Sequence, residues 1–151
     1  MQTAMQNDTL APELAASIKA RVSKIPIVET LSLEILSLAK GFCAVRVPRR
    51  KQYDGVFESF HGGLLMTVAD STACFAIFTE TGPDVRLTTT DMNIRFLAPC
   101  FSDVSAEARV IKTGKTLCPV AIDLYDTKRT HVAVAQVTYI LLGTMDTAKE
   151  S

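Results

Sequence analysis

The sequence predicts an α+β domain in which one long apolar helix packs against an antiparallel sheet. Residues 62–79 are almost all apolar or small and include a single charged side chain, Asp70. Much of the chain on either side alternates apolar and polar residues with a period of two, which is typical of strands with one buried face. The predicted strands outnumber the helices and do not alternate with them, which argues against a doubly wound parallel sheet.

The composition fits one globular domain. The chain has 151 residues, of which 48% are hydrophobic and 21% charged, and a chain of this length can build a core without disulfides. Sixteen basic residues balance sixteen acidic ones, whereas a dedicated nucleic-acid binder normally shows a basic excess. The four cysteines have no CxxC spacing and the two histidines give no metal-ligand pattern. We therefore expect free thiols, no metal, no nucleic-acid partner and a cytoplasmic location.

The apolar segment 62–79 is also about long enough to cross a bilayer. Asp70 lies near its middle, however, and the flanking sequence alternates as it does in soluble sheets. The segment is therefore predicted to be a buried helix of a protein without a membrane partner.

The N-terminal part is predicted to be a flexible tail over residues 1–10, followed by a single domain over residues 11–151. Pro12 suits the first turn of a helix. Leu14, Ile18 and Val22 then recur every fourth residue, which predicts one apolar stripe on a helix over residues 12–23. Pro26 is expected to end that helix.

The period changes to two from residue 30, which predicts a β-hairpin over residues 30–47 with its turn at a Lys-Gly pair. A loop over 48–60 and the apolar helix follow. Four further strands are expected to form a meander, over residues 85–97, 104–112, 116–125 and 131–142. In the first of them, alternation places Thr88 and Met92 on one face and Thr89 on the other. Pro119 predicts an edge strand or a bulge.

One short segment combines features that suit catalysis. His61-Gly62-Gly63 precedes the apolar helix, and the first N–H groups of a helix have no partner inside it, so they can stabilise a developing oxyanion. Asp70 lies in the middle of that helix, where an unpaired carboxylate is costly. Taken singly, the glycine pair fits an ordinary helix start, and Asp70 fits an exposed position or an ion pair with Arg46 or Arg95.

Three longer stretches give the pattern a specific likeness. They are HGGLLMTVADSTACFA (61–76), LTTTDMNIRFLAP (87–99) and ARVIKTGKTL (108–117). Together they resemble the hot-dog-fold acyl-CoA thioesterases, with the phenylacetate-pathway thioesterases as the most similar subgroup. The likeness extends over about residues 25–142. It implies a hot-dog fold, in which a sheet wraps around one long helix.

The resemblance also implies roles for single residues. Asp70 matches the carboxylate that acts as general base or nucleophile at the thioester, and Gly62 matches the glycine whose N–H polarises the carbonyl. His61 matches a histidine that orients the site, and Thr89 matches a hydroxyl that positions the water or the carboxylate. In the family the site forms between subunits, which implies a homodimer or tetramer with Asp70 of one subunit facing His61 and Gly62 of the other.

The sequence departs from the family pattern at one position. Many relatives carry Asn six residues before the histidine, and this chain has Gly55 there. Asp54 and Glu58 are the candidates to replace it.

Coenzyme A is part of the expected substrate, and no separate cofactor is implied. Its phosphates suggest basic residues near the mouth of the site, although short charged runs usually mark a solvated face. The candidate substrate-binding residues are Gly63, Phe60 and Asp54 beside the site and the basic residues Arg49, Arg50, Lys51, Lys112 and Lys115. The phenylalanines Phe57, Phe60 and Phe96, with Met66, are candidates for an acyl pocket of small, medium or aryl size.

Two other functions fit the same fold. One is a 3-hydroxyacyl-thioester dehydratase, in which a histidine and a carboxylate act on the substrate carbons. The other is a non-catalytic acyl-CoA-binding protein, which could lose the carboxylate that is present here as Asp70. The order of the HGG motif and the helical acid favours the hydrolase.

Overall fold

The computed structural model describes residues 10–144 as three α-helices and one six-stranded antiparallel sheet. The helices are α1 (Pro12–Val22), α2 (Pro26–Leu31) and α3 (Gly62–Thr81), and a short 3₁₀ turn spans Lys51–Tyr53. The strands are β1 (Glu34–Ala39), β2 (Phe42–Val47), β3 (Val85–Phe96), β4 (Val104–Val110), β5 (Leu117–Tyr125) and β6 (His131–Thr144). Their order in the sheet is β1-β2-β4-β5-β6-β3. The predicted α+β class is confirmed.

The long helix α3 lies on one face of this sheet and contacts all six strands. Half of its twenty residues are buried, among them the small residues Ala69, Ala73 and Ala76 and the large side chains Phe75 and Ile77. A helix that is apolar on almost every side is stable in water only when protein covers it. Although α3 is long and apolar enough to cross a membrane, the prediction of a buried core helix is confirmed.

The segment between α1 and the sheet differs from the predicted hairpin. Pro26 was expected only to end α1, but it also begins α2, because its fixed φ and missing N–H suit a first helical position. Leu31 was predicted to lie in a strand, yet it is buried at the end of α2. Ser32 then adopts the left-handed conformation that ends the helix (φ 51°), and the strand begins at Glu34.

The predicted four-stranded meander is wrong in one respect. Strands β4, β5 and β6 do follow one another in the sheet, but β3 pairs with β6 and lies at the far edge. The chain therefore crosses from β3 at one edge to β4 beside β2. Alternating residues identify strands but do not specify which strands pair.

The face assignment within β3 is also wrong, because the strand contains a β-bulge at Thr90. Thr89 pairs with Tyr139, whereas Asp91 pairs with Thr138, so Thr90 is the extra residue. A bulge of one residue reverses the alternation beyond it. As a result Thr89 lies on the same half-buried face as Met92, and not on the opposite face.

Pro119 lies in the interior strand β5, not in an edge strand, and faces Thr138 of β6. On its other side the Pro119 carbonyl accepts the Ile111 N–H at 2.9 Å. Strand β4 has already ended at Val110, so the missing N–H of the proline falls just beyond the paired part of that strand.

The predicted tail over residues 1–10 falls outside the described residues except for Leu10. That side chain is partly buried and packs against the hydrophobic core.

A buried threonine joins the end of α3 to the β1–β2 turn. The Thr79 hydroxyl donates to the Ala76 carbonyl at 2.6 Å and accepts the Gly41 N–H at 2.7 Å. Thr72, also buried, donates only to the Val68 carbonyl of its own helix. The two threonines therefore differ in whether another segment depends on the hydroxyl.

We predict that Thr79→Val lowers the free energy of unfolding by about 1–3 kcal/mol, because the Gly41 N–H loses its partner. Thr72→Val, which removes a hydroxyl that serves no other segment, is the matched control and should change stability by less than about 1 kcal/mol. Urea unfolding of both variants measures the difference. Equal losses in the two variants would contradict the assigned role of Thr79.

Candidate active site

The carboxylate of Asp70 is held by two hydroxyl groups from the sheet. The Thr89 hydroxyl donates to Asp70 Oδ1 at 2.7 Å, and the Tyr139 hydroxyl lies 2.9 Å from the same oxygen. Tyr139 also lies 2.9 Å from the main-chain carbonyl of Asp70. Both hydroxyls converge on Oδ1, which leaves Oδ2 as the oxygen that can face a substrate.

The pairing of β3 with β6 explains why the two donors meet. Thr89 and Tyr139 are directly opposite each other across the two strands, and the bulge at Thr90 turns Thr89 toward the helix. Tyr139 is buried, and burial raises the pKa of its phenol above the ordinary value, so the hydroxyl stays protonated as a donor. A carboxylate in this apolar surrounding is therefore compensated by fixed donors.

The other end of the predicted site is the start of α3. His61 is the N-cap residue, and its Nδ1 accepts the Gly63 N–H at 3.0 Å. The Gly63 N–H therefore already has a hydrogen-bond acceptor within the protein. Among the described residues, the Gly62 N–H has no hydrogen-bond partner, and it points from a helix N-terminus, where the macrodipole favours negative charge.

Phe96 covers the side of Gly62. A methyl group added at Gly62 would come within 3.1 Å of Phe96 Cζ, so any larger residue would displace the ring. Phe96, Phe60 and Leu65 line a cavity of about 380 Å³ that opens beside Gly62. The Gly62 backbone thus lines a cavity together with these apolar side chains.

Asp70 and Gly62 do not meet within one protomer. They are eight residues apart on the same straight helix, which separates them by about 12 Å along its axis. One thioester group cannot contact both at that distance. Within a single copy of the chain, Gly62 and Asp70 therefore cannot act on the same thioester.

The loop before His61 is fixed by Arg49. The Arg49 guanidinium binds both carboxylate oxygens of Asp54, at 3.1 Å and 2.6 Å, and also donates to the carbonyls of Glu58 and Phe101 at 2.8 Å each. The hydrogen bond to Asp54 holds the pKa of this guanidinium above its ordinary value. Arg49 and Asp54, both predicted to bind substrate, are paired with each other in this structure.

The position of the missing Asn is occupied by a compact turn. The Gly55 N–H donates to the Ser59 carbonyl at 2.8 Å, and a Cβ at Gly55 would lie 3.6 Å from His61 Cδ2. Of the two candidate replacements, Asp54 is bound by Arg49. Glu58 is exposed and has a left-handed backbone with φ 59°.

The remaining predicted residues are spread over the molecule. Phe60 lines the cavity beside Gly62, and Arg50 donates to the Ser32 hydroxyl at 2.5 Å. Lys51 is exposed beside Arg49. Lys112 and Lys115 lie in the β4–β5 connection. Thr113 of the same connection donates a hydrogen bond to Glu80, which is at the opposite end of α3 from Gly62. Within one protomer these two lysines are thus remote from the glycine.

Similarity to known proteins is extensive. The family model described as "Domain of unknown function (DUF4442)" matches residues 15–141. Acyl-coenzyme A thioesterase 13 of Mus musculus is 32% identical over 114 residues, which cover 73% of this chain and 77% of the relative. The Homo sapiens protein of the same name is 32% identical over 108 residues, 69% of this chain and 74% of the relative.

This chain belongs to the hot-dog-fold acyl-CoA thioesterase superfamily. Solved structures share its fold. The PaaI protein of the E. coli phenylacetic acid degradation operon superposes with a TM-score of 0.82 at 22% identity, covering 91% of this chain and 99% of that one. A thioesterase family protein from Silicibacter pomeroyi gives 0.79 at 22% identity, covering 86% and 98%. The predicted family, hot-dog fold and thioester hydrolase class are confirmed.

Cysteines of this superfamily member are free thiols at all four positions. Burial raises the pKa of Cys43 and of Cys74 to about 12, so neither is a thiolate nucleophile near neutral pH. Within residues 10–144, no three His, Cys, Asp or Glu side chains come together as a metal site requires.

Two features of this site were not predicted from the sequence. One is Tyr139 as a hydrogen-bond partner of Asp70, and the other is Arg49 as the residue that fixes the loop before His61. Tyr139 occupies an ordinary core position of a strand, and only the need of a buried phenol for a partner could have singled it out. Arg49 belonged to a charged run whose members look alike in sequence.

We predict that Tyr139→Phe lowers kcat on acyl-CoA by roughly tenfold to a hundredfold, the equivalent of losing one hydrogen bond to a charged group. The fold should persist, because the ring remains. Tyr125→Phe is the matched control, since it removes a phenol hydroxyl from β5 that does not contact Asp70. A kcat that falls equally in both variants would exclude a positioning role for Tyr139.

Proposed function

We propose that the protein hydrolyses the thioester of an acyl-CoA with a small, medium or aryl acyl group to the free acid and CoA. The observation that supports this most directly is the carboxylate of Asp70, held through one oxygen by Thr89 and Tyr139 in an otherwise apolar helix. Such an arrangement presents a fixed carboxylate oxygen to the uncharged thioester group of a substrate. Membership of a thioesterase superfamily supplies the reaction class.

Two routes of thioester cleavage use the same oxygen. In the first, Asp70 Oδ2 takes a proton from a water that attacks the carbonyl carbon, and the C–S bond then breaks to release the CoA thiol. In the second, Oδ2 attacks the carbon itself, the C–S bond breaks to release the CoA thiolate, and water then hydrolyses the resulting anhydride to the free acid and the Asp70 carboxylate. In both, the carbonyl oxygen becomes negative, and the proposed donor that stabilises it is the Gly62 N–H of a second subunit.

We further propose that each site combines Asp70 of one subunit with His61 and Gly62 of another. The separation of about 12 Å along α3 supports this, because no single thioester bridges it. The outer edge of β3 supports it as well. This strand of twelve residues pairs only with β6 in the described chain, and a long open edge favours pairing with another strand. A homodimer or tetramer satisfies both requirements.

A thiol-release assay tests the activity. The protein is supplied in turn with acetyl-, octanoyl-, palmitoyl- and phenylacetyl-CoA, and free CoA thiol is measured with a chromogenic disulfide. Hydrolysis of at least one of these above the rate of the buffer is expected. We place this activity in the cytoplasm, in keeping with the free thiols.

The dehydratase and the non-catalytic binder are the alternatives that this assay separates. A dehydratase would convert a 3-hydroxyacyl-CoA to an enoyl-CoA without releasing thiol. A binder would retain acyl-CoA unchanged, and its affinity would not depend on the charge at Asp70.

We predict that Asp70→Asn lowers kcat at least roughly a hundredfold, as expected for removal of a positioned acid–base group. An amide keeps the shape and still accepts the hydroxyl bonds, but it neither accepts a proton nor forms an anhydride. The protein should fold, oligomerise and bind acyl-CoA, and its melting temperature should stay level or rise, because a charge leaves an apolar site. If kcat is unchanged in the folded variant, the proposed mechanism is wrong and a non-catalytic acyl-CoA-binding protein is favoured.

The shared site is tested by mixing two inactive variants. Gly62→Val displaces Phe96 and is expected to lower kcat by orders of magnitude. If Asp70 of one subunit works with Gly62 of the other, a dimer of Asp70→Asn with Gly62→Val contains one intact site. Random mixing after denaturation and refolding should then restore about a quarter of the wild-type activity. Light scattering of each parent checks that it assembles, and a mixture that stays inactive indicates sites within one subunit.

A further inference from the structure

A second groove lies one helical turn beyond Asp70, on the side away from Gly62. It has a volume of about 540 Å³ and lies between α1, α3 and β3. Its apolar walls include Ile25, Cys74, Phe78 and Leu87, and two basic side chains, Arg21 and Arg86, also line it. None of these residues was a sequence-based candidate for the site.

The direction of the groove follows from the two elements that form its sides. On α3, Asp70, Cys74 and Phe78 are spaced by four residues and so share one face of the helix. On β3, Thr89 bonds Asp70, and Leu87 lies two residues earlier on the same half-buried face. The lining of the groove on α3 therefore begins at Cys74, one turn beyond the carboxylate, and extends for about 6 Å along the helix to the level of Phe78.

Cys74 lines the groove and lies near both Asp70 and Arg21. Burial is the main cause of its raised pKa, the negative charge of Asp70 adds to it, and the positive charge of Arg21 opposes it. The thiol is thus near enough to feel both groups. An occupant that reaches from Asp70 to Arg21 must pass it.

The two arginines lack acidic partners in the described chain. Neither Arg21 nor Arg86 forms an ion pair with any residue of 10–144, in contrast to Arg49, which Asp54 neutralises. A guanidinium has a planar set of donors that fits carboxylate or phosphate oxygens. Two of them beside one groove with apolar walls provide positive charge for an anionic group.

We propose that this groove binds one arm of the substrate, apolar along its length and anionic at its far end, and that Arg21 and Arg86 bind the anionic group. The orientation, with the thioester at Asp70, rests on the proposed function. Two parts of a substrate have this chemistry. One is an acyl group that ends in a second carboxylate, and the other is the pantetheine arm of CoA with its phosphates.

Four thioesters distinguish these two sources. They are octanoyl-CoA, suberyl-CoA, which carries a terminal carboxylate on the same eight carbons, and the corresponding two N-acetylcysteamine thioesters, which lack the CoA phosphates. Each is assayed with the wild-type protein and with Arg21→Gln, Arg86→Gln and the double variant. Arg95→Gln is the control, because Arg95 is an exposed arginine on β3 that does not line the groove.

If the anion is the acyl carboxylate, the double variant should lose at least roughly tenfold in kcat/KM on both suberyl thioesters and little on both octanoyl thioesters. If the anion is a CoA phosphate, the loss should appear as a higher KM on both CoA thioesters and be absent from both cysteamine thioesters. No selective loss, or an equal loss in Arg95→Gln, would overturn the proposal.

Measurements of binding without turnover test the proposed anion site independently of the proposed hydrolysis. The non-hydrolysable thioethers S-octyl-CoA and S-(7-carboxyheptyl)-CoA are titrated by calorimetry into the wild-type protein and the double variant. At least a tenfold weaker Kd in the variant for one or both thioethers supports the anion site, even if the wild-type protein hydrolyses no acyl-CoA. Equal affinities for both thioethers would reject the site while leaving hydrolysis intact.

Cys74→Phe tests whether the groove is occupied at all. The larger ring should block passage between Asp70 and Arg21, so kcat/KM should fall for the octanoyl or suberyl thioesters, whereas Cys74→Ala should retain it. A folded Cys74→Phe variant with wild-type kinetics on all four thioesters would show that no substrate arm lies in the groove.

Discussion

The site depends on a carboxylate that remains in the middle of an apolar helix because the sheet brings two hydroxyl groups to it. An unpaired carboxylate there would cost several kcal/mol. Thr89 and Tyr139 offset that cost at a single oxygen of Asp70. Their meeting requires β3 to pair with β6 and requires the bulge at Thr90. The pairing of β3 with β6, which the sequence did not reveal, is therefore what allows the Asp70 carboxylate to lie in this apolar helix.

Helix geometry imposes the second constraint. The free N–H at Gly62 and the carboxylate at Asp70 are fixed on one rigid helix about 12 Å apart, and neither can move toward the other without unfolding the core. A two-point site built from them needs a second surface. Arg49 then has a structural purpose, because it holds the loop that leads into the Gly62 end through Asp54, Glu58 and Phe101. In the proposed shared site this end fits another subunit, and such rigidity would favour that fit.

Much of the fold could be predicted from the sequence, because periodicity reports which residues are buried. The apolar run 62–79 identified α3, and alternation located the strands to within a few residues. Pairing and bulges depend on contacts between distant segments, so β3 was placed beside the wrong neighbour. The face of Thr89 was predicted wrongly from alternation. Its part in the site came only from the family resemblance, and its contact with Asp70 agrees with that role. Tyr139 resembled any core residue of a strand.

The basic residues show most clearly that contacts between distant segments could not be predicted from the sequence. The sequence offers Arg49, Arg50 and Lys51 as one positive run, but an arginine's availability depends on what faces it in space. Arg49 already forms an ion pair with Asp54, five residues away. Arg21 and Arg86 are far apart in sequence but line one groove, and neither forms an ion pair with an acidic residue among residues 10–144. An ion pair that is already formed gains little from a further anion, while two unpaired guanidiniums beside an apolar wall retain their full capacity for one. The charge that recognises a substrate is thus set by the fold and is not apparent from charged runs in the chain.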